Sequence, residues 1–158
     1  MSTLKTLTDA ESAVLTPLLA RGKPLAGAAL VVEDSHDLNN EILRAMGELG
    51  LMILIGVPLF TNSRDNSGAL VAAGISQQIL VGEVPAIWRN VPDTNVHCQD
   101  AARIVAAALQ GLLLPNQQRL RVVFGMPLGT FKGEFKKSET VFQYYRLELE
   151  TNMTFDAT

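Results

Sequence analysis

The segment from Gly74 to Leu114, GISQQILVGEVPAIWRNVPDTNVHCQDAARIVAAALQGLLL, constrains the fold more than any other part of the chain. It reads as a long strand carrying Glu83 and Pro85 ahead of Trp88-Arg89-Asn90, then a short polar turn, then one strongly apolar helix. That helix begins between Asn95 and Cys98 and ends before Pro115. Ala101, Ile104, Val105, Ala108, Leu109 and Leu112 lie on one broad face, and the alanines permit close approach of a sheet. A strand and helix of this kind are built to be packed against something. They hold no combination of nucleophile, base and oxyanion site.

The flanking residues supply the remaining elements. Thr8-Asp9-Ala10-Glu11 has the capping-box form and predicts a helix through Leu15, Leu18 and Leu19 to about Arg21, stopped by Gly22-Lys23-Pro24. Leu30-Val31-Val32 predicts a strand. Leu38, Ile42, Ala45, Met46 and Leu49 recur at helical spacing, with Ser35 or Asp37 as N-cap and Gly47 and Gly50 closing the segment. Leu51 to Phe60 is continuously apolar, as a strand buried on both faces would be until Pro58 ends or edges it. Thr61 to Gly68 is polar and turn-forming. Ile75, Ile79 and Val81 then restart a strand able to pair antiparallel with the previous one, which makes the polar stretch the tip of a long β-hairpin.

Downstream, Arg119 to Phe124 reads as a strand and Gly125 to Ser138 as a long loop. Val141 to Phe155 alternates, with Val141, Tyr145, Leu147, Leu149, Met153 and Phe155 facing one way and Arg146, Glu148, Glu150 and Asn152 the other. The pattern predicts a single α/β (α+β) domain over residues 1–158. Its sheet is mixed and largely antiparallel, with two or three helices packed on one side.

Composition excludes several function classes. A net charge of -3 offers no basic stripe for nucleic acid. One cysteine, Cys98, rules out an intrachain disulfide. The start MSTLKTLTDAES lacks the apolar segment of a secretory signal, and the apolar runs 51–60 and 101–114 fall short of the ~20 residues that span a bilayer. A soluble protein is expected. With 47% hydrophobic and only 18% charged residues, the chain carries more apolar surface than so small a monomer hides, and a homo-oligomer is the outlet.

Four features offer chemistry, each with a plainer reading. Glu33-Asp34-Ser35-His36-Asp37 could gather a divalent metal, or simply cap the following helix. LVVED over 30–34 with Asn40-Glu41-Ile42-Leu43 resembles the opening of bacterial receiver domains, where paired acids hold magnesium beside a phosphorylated aspartate. That resemblance ends there, because 79–85 contains no Asp and the carboxy-terminal half no Lys-Pro. Glu83 and His97 could do acid–base work but lack a nucleophile, and Cys98 reads as a buried helix residue. Trp88 and Arg89 are interface anchors or a cover for their own core. Phe131 to Lys137 interleaves three lysines with two aromatics, as a solvated hairpin tip or subunit-contacting loop would. The interface candidates are therefore Trp88, Arg89, Asn62, Arg64, Asp65, Lys132, Phe135 and Lys136, with no catalytic, cofactor or metal site expected.

The whole order of elements resembles one family. Asp37-Leu38-Asn39-Asn40-Glu41-Ile42 leads through Leu49-Gly50-Leu51 into an apolar strand ending Val57-Pro58, and a polar loop follows. Next come Val81-Gly82-Glu83-Val84-Pro85, Arg89-Asn90 and an alanine-rich helix. This is similar to the small tail-terminator and tail-completion, or head–tail joining, proteins of tailed bacteriophages and prophages. The resemblance implies a structural virion protein, not an enzyme, assembled as a ring that is commonly a hexamer. Such a ring sits at the tail end or neck, having formed in the host cytoplasm. It caps the tail tube and joins it to head-completion proteins, with DNA at most passing through the lumen. The competing readings are a receiver-like metal-binding signalling domain using Glu33, Asp34 and His36, and a small intracellular binding domain.

Overall fold

The computed structural model describes residues 3–34, 36–45, 49–64, 70–84, 97–114, 118–135 and 138–154. Its strands are β1 (Ala29–Val32), β2 (Leu51–Ile55), β3 (Leu59–Arg64), β4 (Leu70–Glu83), β5 (Arg121–Phe135) and β6 (Ser138–Thr154). Its helices are α1 (Thr3–Leu15), continued by a 3-10 turn over Thr16–Leu19, α2 (Leu38–Arg44) and α3 (Cys98–Leu109). The strands form one sheet in the order β1-β2-β4-β6-β5, with β3 also paired to β4. The β1–β2 pair is parallel and the others antiparallel, so the sheet is mixed and largely antiparallel, as the alternation predicts.

The two sheet faces differ. Leu51, Ile53, Ile55, Ile79, Val81, Leu147 and Leu149 share one face and pack with Leu7 and Leu15 of α1 and Ala101, Ala102, Val105 and Leu109 of α3. Two helices thus cover one side, as expected. The third, α2, lies on the other side, where Leu38, Ile42 and Ala45 cover Ala29, Val31, Met52 and Leu54. This explains why β2 reads as continuously apolar: it has a core on each face. Gly50 makes the turn into β2 with φ 89°, a left-handed conformation that glycine adopts without strain.

Three boundaries differ from the sequence reading. First, α1 starts at Thr3, five residues before the capping box, so Thr8 and Glu11 lie inside the helix and are buried. The four-residue spacing of Leu7, Glu11 and Leu15 places all three on the face against the sheet.

Second, residues 125–135 are strand, not loop. They pair with β6 as far as Phe135↔Ser138, and the edge strand absorbs its glycines and Pro127 with register shifts at Val122/Phe124 and Pro127/Gly129. Third, Thr61 to Arg64 are strand paired with Gly74 to Leu70, while the rest of the expected hairpin tip, 65–69, lies outside the described residues.

Between the pairs Ile55↔Ile79 and Leu59↔Ser76, residues 56–58 face only Gln77 and Gln78. This extra residue separates β2 from β3 along one edge of β4. Gly56 N donates to Gln78 O at 2.8 Å. A Cβ at position 56 would lie 2.5 Å from that same oxygen, so only glycine fits.

Candidate functional site

Chemistry-bearing side chains gather at two places. The first is the end of β4. Glu83 is fully buried on the helix-covered face, and its Oε2 accepts from the backbone N–H of Cys98 at 3.1 Å. Its Oε1 lies 3.1 Å from His97 Nδ1. A strand carboxylate thereby caps the first turn of α3, where free N–H groups and the helix dipole favour negative charge. Cys98 is buried, and its thiol donates to Val81 O at 2.9 Å. Burial, reinforced by the Glu83 charge and opposed by a hydrogen bond to the Tyr145 backbone, pushes that thiol up to about 12. A thiol so protected is no nucleophile at neutral pH. The Glu83–His97–Cys98 group is a clasp between strand and helix.

The second place is the sheet face opposite α1 and α3. Beyond the part that α2 covers, β4, β6 and β5 present Ser76, Gln78, Arg146, Glu148, Glu150, Arg121 and Phe124. Arg146 packs 5.9 Å over the Phe124 ring, donates to Met126 Sδ at 3.3 Å and lies 3.5 Å from Glu148 Oε1. Arg121 pairs with Glu150. The β5 register shift leaves Val123 and Phe124 both exposed, and Leu59 at the start of β3 is 68% exposed. Between them runs a groove of about 370 Å³ lined by Glu33, Val57, Leu59, Gln78, Val123, Glu148 and Glu150, among others. The arrangement joins exposed apolar side chains to a fixed arginine and flanking charges, which is the anatomy of a protein contact surface.

The acidic knot resolves into separate duties. Glu33 Oε2 accepts from Val57 N at 2.7 Å and so braces the interruption between β2 and β3, not the α2 terminus. Asp37 sits at the α2 N-cap without a side-chain bond to the helix backbone, and Asn40 Nδ2 donates to its Oδ1 at 2.8 Å. Among the described residues, no group of three or more His, Cys, Asp or Glu is placed to hold a metal ion. Among them also, no helix is long and apolar enough to cross a membrane.

Of the interface residues named from sequence, Trp88, Arg89, Asp65 and Lys136 lie outside the described residues. Asn62 and Arg64 are register partners of Ala73 and Leu70, at the end of the sheet where β4 meets Met153. Lys132 and Phe135 pair with Val141 and Ser138, beyond Gln143, where the β4–β6 pairing stops at Glu83. Val141 and Met153 are twelve residues apart on β6, about 40 Å of strand, so the two groups occupy opposite ends of the sheet. Sequence reasoning missed Phe124, Val123, Leu59 and Arg146. The alternation of β6 does place Arg146 on the wet face, but the shift that exposes Phe124 depends on pairing and leaves no mark in β5 itself.

No model of a known protein family matches the chain, and no curated protein matches it.

Proposed function

We propose that this chain is a structural virion protein of a tailed phage or prophage: a ring-forming tail-terminator, tail-completion or neck protein. It caps the tail tube and joins it to head-completion proteins. The observation that carries the assembly part is the open sheet face, where Leu59 and Val123 stand exposed along the groove and Phe124 stands exposed beside Arg146. A lone domain gains nothing by leaving such groups in water, whereas a repeated subunit contact buries them. The tail assignment rests on the element order from Asp37 to Leu114. Two edges support a head-to-tail arrangement: β5 closes one side of the sheet, and β1 with β3 the other. Contacts between unlike surfaces generate rings when the rotation closes. The saturated Glu83 and protonated Cys98 favour a binding role over a catalytic one.

The test is the mass of the purified protein in solution, with negative-stain images of the same sample. A closed ring with a mass that is a multiple of 17.1 kDa, adding to the ends of tail tubes, is the expected result. A stable monomer at high concentration that ignores added tubes overturns the reading.

A further inference from the structure

Leu7, Glu11 and Leu15 form one buried stripe of α1, in which the two leucines join the core under β2, β4 and α3. A carboxyl in such a stripe must find partners or stay neutral, because burial penalises the ionised form. Glu11 has no exit: it is fully buried, and neither Oε1 nor Oε2 receives a hydrogen bond of good geometry. The polar side chain against it is Gln77. Gln77 Nε2 is committed to Gly56 O at 3.0 Å, which leaves Gln77 Oε1 buried and also without a donor. Both side chains therefore leave buried acceptor oxygens without a donor.

We propose that Glu11 is held in the folded protein as the neutral acid, and that loss of its proton to solvent loosens α1 from the sheet. Among the described side chains, no other charge on the packed elements explains the site. The 3-10 turn, β1 and β2 carry no charged residue, and Asp9 of α1 is exposed. On α3, Asp100 and Arg103 lie 3.9 Å apart in solvent. On β4, Glu83 lies on the same face six residues farther along, its oxygens taken by Cys98 and His97. Burial, opposed by Gln77, raises the Glu11 carboxyl from 4.5 to about 7.

The sign follows from that direction. Below 4.5 the carboxyl is neutral in folded and unfolded chains alike, and its stabilising contribution is complete. As pH rises, the unfolded chain ionises first, so stability falls until the folded form also ionises near 7, and then stays low. The interval from 4.5 to about 7 corresponds to a folding equilibrium about 300-fold weaker at alkaline pH from this group alone. The inference is independent of the assembly reading.

Urea unfolding of the wild type and Glu11→Gln at pH 5 and pH 8, with residue-resolved hydrogen exchange, tests it. Between pH 5 and pH 8 the wild type should lose about 70-fold in its folding equilibrium, since part of the effect is already spent at pH 5, with α1 amides exchanging faster after correction for intrinsic rates. Glu11→Gln cannot ionise and should lose most of this dependence. Equal pH dependence in the two proteins, or α1 protection that does not change with pH, overturns the proposal. Should the variant fail to fold, ¹³C NMR of the Glu11 carboxyl in the wild type decides: a midpoint near 7 supports the proposal, and one in the ordinary carboxylate range sinks it.

Discussion

His97 and Glu83 meet across 14 residues of sequence, Nδ1 to Oε1 at 3.1 Å, with the imidazole 63% exposed and the carboxylate fully buried. The asymmetry decides which partner matters. Glu83 is the anchor, because it also holds the Cys98 N–H at the start of α3. His97 shields one of its oxygens from outside.

Truncating the anchor leaves a buried N–H without an acceptor, which costs about 1–3 kcal/mol. Glu83→Ala should therefore lower the unfolding free energy measured in urea by an amount in that range, with Glu83→Gln intermediate because one oxygen remains. His97→Ala removes only an exposed partner and should cost less than about 1 kcal/mol. If His97→Ala proves the more damaging of the two, the clasp is assigned to the wrong side.

Cys98 offers a second check that needs no mutation. Its thiol is pushed from 9.0 up to about 12 and lies buried against Val81 O. The thiolate fraction at pH 8 then falls about 1000-fold below that of an ordinary cysteine, before the block on access is added. The native protein should resist a thiol-reactive disulfide reagent at pH 8 and react at once in denaturant. Rapid labelling of the folded protein would reopen Cys98 as a nucleophile.

Gly56 is required by close approach and not by φ. An added Cβ meets Gln78 O at 2.5 Å and Glu33 Oε2 at 3.2 Å, and the first of these is backbone that cannot swing away. Gly56→Ala should disturb the Gly56 N to Gln78 O bond and the Glu33 brace on Val57 together, at a cost of roughly 1–3 kcal/mol. Unchanged stability in chemical denaturation would mean that the β2–β3 interruption is soft.

Periodicity carried much of this fold into plain view. Leu147 and Leu149 against Arg146 and Glu148 announce the two faces of β6, and the apolar face of α3 announces its docking side. What stayed hidden is what no local pattern encodes. Thr8 and Glu11 match a capping box perfectly well, yet α1 extends back to Thr3 and converts the capping acid into a buried one. Residues 125–135 look like a loop because glycine and proline weaken a strand, but pairing with β6 overrides that preference at an edge. The candidate contact surface was legible only in part: Arg146 is marked by alternation, whereas Phe124 reaches the same face through a register shift between β5 and β6.

That contact surface gives the last prediction. Phe124 and Leu59 are exposed at 43% and 68%, so truncating them removes little core packing, and surface changes of this kind usually alter stability by about 0.5 kcal/mol or less. An aromatic paired with an arginine at a subunit contact is different, because hot-spot residues of this type cost about 2 kcal/mol or more when truncated. That corresponds to roughly a thirtyfold loss in association constant. Phe124→Ala and Leu59→Ser should therefore leave the thermal midpoint near that of the wild type while shifting the proposed oligomer towards monomer in sedimentation or light scattering. Arg146→Ala should follow the same pattern with a larger effect on stability, since it also removes the contacts to Met126 and Glu148. A double variant, Phe124→Ala with Leu59→Ser, that still assembles as the wild type does would clear this face of the interface role and leave the sheet edges to carry it.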